Sequence, residues 1–292
     1  MNNEVYILAL GANLCFALGS QVFTLFSRRI SSTWMNFIKA TVALVAFGLT
    51  VTLLGTWHVI EVNYFLLFLF SGIIGLGMGD ILLLKSFSEM GPGRTLIIFS
   101  FQPLILGAGG YFLFNQTIDT QKFWAILFFI CCVVIFSIES FRRDRNWQIK
   151  GILMAIGGMT LDATGLLITR YSFDHNPELS SLEGNFYRCI GAIILFLIIS
   201  KIRPVKIYDN FVGLVYRDKL LVIGGSLLGT FLSLSLYLKA LQSAHLASLS
   251  GIAITGTIFS AIFEGIIEKR WPSKYLIAAF IFFLIGMKII ML

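Results

Sequence analysis

Long apolar stretches alternate with short polar connections along the whole chain. A helix that crosses the hydrocarbon core of a bilayer needs about 20 mainly apolar residues, and ten stretches satisfy that requirement. None of them shows the alternation of polar and apolar positions that is typical of a barrel strand. The pattern therefore predicts an all-α integral membrane protein with ten transmembrane helices. The predicted spans are 4–26, 34–55, 63–87, 93–114, 122–140, 148–169, 184–200, 218–240, 245–267 and 273–291.

Composition and charge agree with a membrane protein. The 292 residues are 57% hydrophobic and only 13% charged, against about 25% charged in soluble domains. The Lys and Arg residues behind the net charge of +7 lie between apolar runs, which indicates topology signals and lipid headgroup contacts rather than nucleic-acid binding. The four cysteines lie inside apolar runs with no C-x-x-C pattern and no His at ligand spacing. No metal and no cofactor are therefore expected.

The second half of the chain repeats features of the first half in the same order, at an offset of about 150 residues. Single identities are weak, but their common order favours two repeats of five helices, divided as residues 1–146 and 147–292. The matched positions are Gly11 and Gly19 with Gly157 and Gly165, Asn36 to Lys39 with Asn185 to Arg188, and Gly75 and Lys85 with Gly229 and Lys239.

An odd number of helices in each repeat makes the second repeat enter the membrane in the opposite sense. Such inverted repeats are typical of secondary transporters, whose binding sites lie near the middle of the membrane between the repeats. The sequence therefore predicts two inverted five-helix repeats with a site between them. Four features carry a family resemblance as well: a glycine-rich third span at Gly75 and its copy at Gly229, basic residues Lys39 and Arg188 near the starts of the second and seventh spans, short turns, and Glu268 after the ninth span.

With these features the chain resembles the drug/metabolite transporter superfamily, in its EamA-type ten-helix branch. The resemblance implies an alternating-access carrier for a small metabolite, such as an amino acid or a related polar solute, that acts in export. One position departs from the family pattern. The first repeat has Phe114-Asn115-Gln116 where the family often shows Gly-Glu, so only Glu268 is available for whatever that glutamate does.

Two carboxylates lie deep inside predicted spans, where a charge costs about 2.5 to 3.5 kcal/mol on insertion scales. Asp80 lies among glycines in the third span, and Asp162 lies in the sixth span where the first repeat has Phe16. Each is either a carboxylate hydrogen-bonded to a neighbouring helix or a site for a substrate ammonium group or a proton. A carboxylate in a cavity would suit a proton-coupled carrier.

Lys39 and Arg188 occupy equivalent places near helix ends. They either extend to the lipid headgroups or form a pair of cations that faces a carboxylate or phosphate of the substrate. Neutral polar groups within the spans could also line a cavity, and Pro103 is expected to kink the fourth span because it lacks a backbone donor. The neutral candidates are Asn13, Gln21, Gln102 and Thr255.

The candidate function is a secondary active transporter whose partners are a small-molecule substrate and the lipid bilayer, with a monomer as the expected assembly. The alternatives are an intramembrane enzyme, or a channel or scaffold without carrier activity. The sequence contains no H-E-x-x-H, G-x-S-x-G or phosphate-binding G-x-x-x-x-G-K-[ST] motif, so an enzyme is not expected. Short loops without added domains favour a bacterial inner membrane.

Charge asymmetry predicts the orientation of the chain. Most of the 22 Lys and Arg residues lie in the connections after odd-numbered spans, and basic loops stay in the cytoplasm. Both termini should therefore lie on the same, non-cytoplasmic side. A topology reporter fused after Leu292 should give a non-cytoplasmic signal, and a cytoplasmic signal would reverse the predicted orientation.

Overall fold

A computed structural model describes residues 3–99, 101–116, 149–202, 205–246, 254–267 and 274–291, together with scattered positions between 120 and 138 and residues 249 and 252. This part of the chain contains helices and turns and no strand. The helices are α1 (Asn3–Arg29), α2 (Ser32–Leu54), α3 (Val62–Met90), α4 (Pro92–Phe99), α5 (Gln102–Phe114), α6 (Ile149–Asp174), α7 (Ser181–Ile202), α8 (Ile207–Val212), α9 (Tyr216–Ser243), α10 (Ile254–Ile267) and α11 (Lys274–Met291).

The all-α prediction is confirmed. Six helices, α1, α2, α3, α6, α7 and α9, are long and apolar enough to cross a membrane, and they correspond to six of the predicted spans. Much of the predicted span 122–140 lies outside the described residues, although the positions described there are helical.

Two details of the predicted spans are wrong. The span 93–114 is not one kinked helix but two helices, α4 and α5, with Phe101 in a turn between them. Pro103 lies in the first turn of the second helix, where its missing N–H is not needed. The connection between the predicted spans 184–200 and 218–240, which the ten-span prediction leaves without a helix, contains the short helix α8.

Both long helices α3 and α9 contain a π-helical segment near the middle. The segment in α3 covers Gly72–Gly79, and the segment in α9 covers Leu227–Leu232. Gly75 and Gly229, which the repeat makes equivalent, lie within them. Helical π segments are rare and occur frequently at functional sites. Their presence at equivalent places shows that the two halves share this distortion.

Pairs of glycines bring the two halves together. A Cβ atom on Gly19 of α1 would lie 2.5 Å from the Cα atom of Gly229 in α9, and a Cβ atom on Gly165 of α6 would lie 3.1 Å from the Cα atom of Gly75 in α3. The second pair is the repeat of the first pair. Each half therefore contributes its first helix to the π-containing helix of the other half, and small residues permit the close approach.

Helix α7 crosses α3 at an equally short distance. A Cβ atom on Gly72 would lie 1.9 Å from the carbonyl oxygen of Arg188, and a Cβ atom on Gly191 would lie 2.0 Å from the carbonyl oxygen of Leu69. Backbone atoms of one helix thus touch the glycines of the other, and this contact fixes where the side chain of Arg188 enters the protein interior.

Contacts between helix ends agree with the predicted alternation of sides. Arg29 at the end of α1 pairs with Asp218 at the start of α9, and His58 after α2 pairs with Glu183 at the start of α7. In each pair, both residues belong to connections that the ten-span prediction places on one side of the membrane. The contacts support the alternation without fixing which side is cytoplasmic.

Gly191→Ala should destabilise the protein by roughly 1 to 3 kcal/mol or more, because the added methyl group meets backbone atoms that cannot rotate away. Gly224→Ala is the matched control, since a Cβ atom there has nothing within 4 Å and alanine favours the helix by about 0.5 to 1 kcal/mol. Thermal unfolding of the purified variants in detergent compares the two. Equal melting temperatures for both variants would contradict the close packing of α3 on α7.

Candidate functional site

A cavity of about 130 Å³ lies between the two halves. Helices of both repeats line it, and its apolar wall includes Phe16, Leu83, Phe99 and Leu166. Charged and polar side chains from eight helices also reach it. They are Asn13, Lys39, Asp80, Gln102, Asp162, Arg188, Thr230, Ser233, Tyr237 and Thr257.

Lys39 and Asp80 form a buried ion pair in this cavity. The Lys39 Nζ atom lies 2.5 Å from Asp80 Oδ2, and the two residues are only 3% and 7% exposed. The ammonium group also lies 5.3 Å from the centre of the Phe23 ring, within the range of a cation–π contact. The interpretation of Lys39 as a residue that extends to the headgroups is therefore wrong.

The neighbouring residue Asn36 holds α2 against the π segment of α3. Its Nδ2 group donates hydrogen bonds to the carbonyl oxygens of Leu76 and Gly77, at 3.0 and 3.2 Å. Asn36 lies one helical turn before Lys39, and Asp80 lies one turn after Leu76, so the amide contact and the ion pair follow each other along the same two helices. The amide contact therefore helps to set the register at which Lys39 meets Asp80.

Asp162 is bound by an amide group instead of a lysine. Gln102 Nε2 donates a hydrogen bond to Asp162 Oδ2 at 2.7 Å. Gln102 can reach this carboxylate because it is the first residue of α5, immediately after the break in the predicted fourth span. Two predicted candidates from different repeats are thus brought together by a break at Phe101, close to the kink that was predicted at Pro103.

Arg188 is fully buried at 0% exposure. Its Nε, Nη1 and Nη2 atoms have no hydrogen-bond partner among the described residues. The arginine therefore does not extend to the headgroups, and that interpretation is wrong for Arg188 as well. Arg188 and Asp162 approach the same space beside Gly75. A Cβ atom on Gly75 would lie 3.3 Å from Arg188 Nη2 and 3.6 Å from Asp162 Oδ1.

The three remaining predicted candidates differ in their relation to the cavity. Asn13 lines it, and its Nδ2 group donates to the carbonyl oxygen of Ile252 at 3.2 Å. Gln21 instead donates to Ser260 Oγ at 3.1 Å, and Thr255 donates to the Ile252 carbonyl at 2.7 Å. Neither Gln21 nor Thr255 is among the lining residues of this cavity.

Sequence reasoning missed three lining residues of α9, namely Thr230, Ser233 and Tyr237. Their spacing of three and four residues places them on one face of a helix, next to Gly229. This face could have been found from the spacing, since α9 repeats the glycine-rich third span. Glu268, which contributes to the family resemblance, lies outside the described residues.

The fold and the cavity define an all-helical membrane protein of two repeats, with charged residues of both repeats buried between them. A family model described as the EamA-like transporter family matches residues 3–138 and again residues 149–292. The chain belongs to the EamA-like transporter family, whose members are transporters. It is a multi-pass membrane protein.

A solved structure supports the fold. This structure, described only as "Crystal structure of protein", aligns with a TM-score of 0.77 at 12% sequence identity, over 99% of this chain and 97% of the other chain. Likeness at that identity concerns the fold alone. No curated protein matches the chain.

Lys39→Met and Asp80→Asn should each destabilise the protein by about 3 to 5 kcal/mol, because each leaves its former partner as an unpaired buried charge. The double variant Lys39→Met/Asp80→Asn should lose less stability than the sum of the two single losses, since it removes both charges together. Unfolding of all three variants in detergent forms a double-mutant cycle. Additive losses would show that the two residues do not interact.

Proposed function

We propose that the protein is a secondary active, alternating-access carrier that exports a small polar metabolite such as an amino acid. The observation that carries the proposal is the cavity between the two repeats, where side chains of opposite charge are buried together. Buried charges are costly and mark substrate or ion pathways in membrane proteins. In a carrier, such charges can bind the substrate as it passes between them.

Both repeats contribute a cation and a carboxylate to the cavity. The first repeat supplies Lys39 and Asp80, and the second repeat supplies Arg188 and Asp162. A site at which two repeats meet can change its exposure when one repeat moves against the other. The close glycine contacts between α1 and α9 and between α6 and α3 provide surfaces without side chains for such a movement.

The size of the cavity favours a small metabolite. Its volume of about 130 Å³ is below the roughly 300 to 1,000 Å³ of sites for drug-sized ligands. Its wall combines apolar side chains with a few charged groups, which suits a solute that has a charged head and an apolar body.

Asp162 is the residue we propose for proton coupling. Its carboxylate is buried in the cavity, and the hydrogen bond that it accepts comes from an amide, not from an ammonium group. A proton on this carboxylate could be released on the other side of the membrane after the change of access. Asp80 is less suited to this role because Lys39 already neutralises it.

The proposal also covers the oligomeric state, the membrane and the orientation of the protein. We place it as a monomer in a bacterial inner membrane, with both termini on the non-cytoplasmic side and with repeats divided as residues 1–146 and 147–292. The match of the family model to each half supports a two-repeat organisation, and the boundary between the repeats stays a prediction.

Wild-type protein in proteoliposomes should show saturable counterflow of a labelled amino acid, and an imposed pH gradient should drive its accumulation. Asp162→Asn should retain the fold, since asparagine can still accept the hydrogen bond from Gln102, but should lose acceleration by the pH gradient. The matched control is Glu89→Gln, which removes a half-exposed carboxylate paired with Lys150 at the end of α3, and should transport normally.

Each alternative has its own result in this experiment. Conductance without saturation would indicate a channel, and absence of transport for every amino acid, amine, nucleotide and sugar phosphate tested would contradict a carrier. Counterflow of Asp162→Asn with an unchanged response to the pH gradient would remove Asp162 from coupling while leaving the carrier function in place.

A further inference from the structure

We propose that Arg188, Tyr237 and Thr230 form a subsite that binds one carboxylate group of the transported molecule. The proposal rests on the carrier function proposed above and names the group that this part of the cavity recognises. The proposal follows from buried hydrogen-bond donors of these residues that have no acceptor among the described residues.

Three residues of the cavity have buried polar atoms that no described residue satisfies. They are all three side-chain nitrogens of Arg188, the hydroxyl of Tyr237 and the hydroxyl of Thr230. Buried polar groups nearly always have a partner, so a group without one needs an explanation. Since all three residues line the same cavity, an absent ligand explains them together.

The chemistry of the donors specifies the ligand group. A guanidinium group has five N–H donors and no acceptor, and its planar shape matches a carboxylate through two parallel hydrogen bonds. A hydroxyl group can donate as well. The complementary group is therefore an anion with several acceptor oxygens.

The broken repeat explains why Arg188 lacks a partner inside the protein. In the first repeat, Lys39 is neutralised by Asp80. The position equivalent to Asp80 in the second repeat is Leu234. Asn185, one turn before Arg188, also donates a hydrogen bond to this helix, to the carbonyl oxygen of Leu234 at 3.0 Å, which lies one turn further along the repeat than the acceptors of Asn36. The second repeat thus has the cation and the asparagine but has a leucine where the first repeat has the acid.

The charges around the subsite favour a carboxylate over a phosphate. Lys39 is already paired with Asp80, so Arg188 is the cation that remains to neutralise a ligand. Asp162 lies across the space beside Gly75, and its negative charge would repel the second charge of a phosphate dianion. The same carboxylate could accept an ammonium group of the ligand, because its Oδ1 atom faces this space while Oδ2 accepts the bond from Gln102.

Binding of three matched probes to the purified full chain tests the subsite. L-Phenylalanine has both charged groups, 3-phenylpropionate has only the carboxylate, and phenethylamine has only the ammonium group; L-leucine, 4-methylpentanoate and isopentylamine form a second set, and inorganic phosphate is the dianion. The carboxylate-bearing probes of at least one set should raise the melting temperature in detergent, since a ligand that binds only the native state stabilises it. Absence of stabilisation by every carboxylate, or equal stabilisation by the matching amine, would overturn the proposal.

Arg188→Gln gives a second, independent readout. Without ligand this variant should melt no lower than the wild type, because the guanidinium group that it removes has no hydrogen-bond partner among the described residues. It should bind the carboxylate probe about 10- to 100-fold more weakly through loss of a charge-assisted contact. Tyr237→Phe should weaken the same probe by roughly tenfold. A lower melting temperature of Arg188→Gln together with unchanged probe affinity would assign Arg188 a structural role and overturn the subsite.

Lys239→Gln is the matched control for charge. Lys239 is a half-exposed cation that pairs with Glu4 at the surface, so its removal should leave probe binding unchanged.

Transport measurements separate this proposal from the carrier function. If the protein shows saturable counterflow of an amine, and Arg188→Gln transports that amine as well as the wild type, the carrier function stands and the subsite is overturned. Carboxylate binding that depends on Arg188, without any counterflow, would keep the subsite and contradict the carrier.

Discussion

The cost of burying charge in the hydrocarbon region is the constraint on which the centre of this protein depends. Each ion there must find a partner or a function, and the protein meets the requirement in three different ways. Lys39 and Asp80 neutralise each other at 2.5 Å, and Asp162 accepts a bond from an amide. The guanidinium group of Arg188 has no hydrogen-bond partner among the described residues, so it is the ion in the cavity that the protein itself satisfies least.

The backbone around these groups is built from close contacts between glycines and the backbone of neighbouring helices. Gly72 and Gly191 let α3 and α7 touch at the level of Arg188, while the π segment of α3 presents the carbonyl oxygens that Asn36 binds. A side chain at either glycine would separate the helices and move the cation away from the cavity. Helix packing and the chemistry of the site therefore rest on the same few positions.

Much of this architecture could be predicted from the sequence because it is written in local patterns. Apolar runs gave the spans, and the repeat brought Gly75 and Gly229 into correspondence before the π segments were seen. Six predicted polar residues, namely Asn13, Lys39, Asp80, Gln102, Asp162 and Arg188, line the cavity. The positions of Asp80 and Asp162 within their spans were sufficient to single them out, since a carboxylate far from both ends of a span is costly whatever surrounds it.

The rest depended on contacts between distant segments. Lys39 lies near the start of α2, so its sequence position was compatible with the headgroup region, and only the neighbouring α3 makes it a buried partner of Asp80. Gln21 and Thr255 are polar residues of the kind that line cavities, but Gln21 binds Ser260 of α10 and Thr255 binds the carbonyl oxygen of Ile252, three residues before it. Tyr237 was missed because an aromatic residue in an aromatic-rich chain carries no signal until the helix face that it shares with Thr230 is known.

The two cations also show how an inverted repeat can supply a binding site. Lys39 is the eighth residue of α2, and Arg188 is the eighth residue of α7, so the repeat places them at equivalent positions in their helices. Asp80 satisfies the first cation from within the chain, whereas Leu234 leaves the second unsatisfied. A carboxylate delivered by the ligand would do for Arg188 what Asp80 does for Lys39. In the subsite that we propose, a leucine in place of one acid is therefore what leaves a cation available to the ligand.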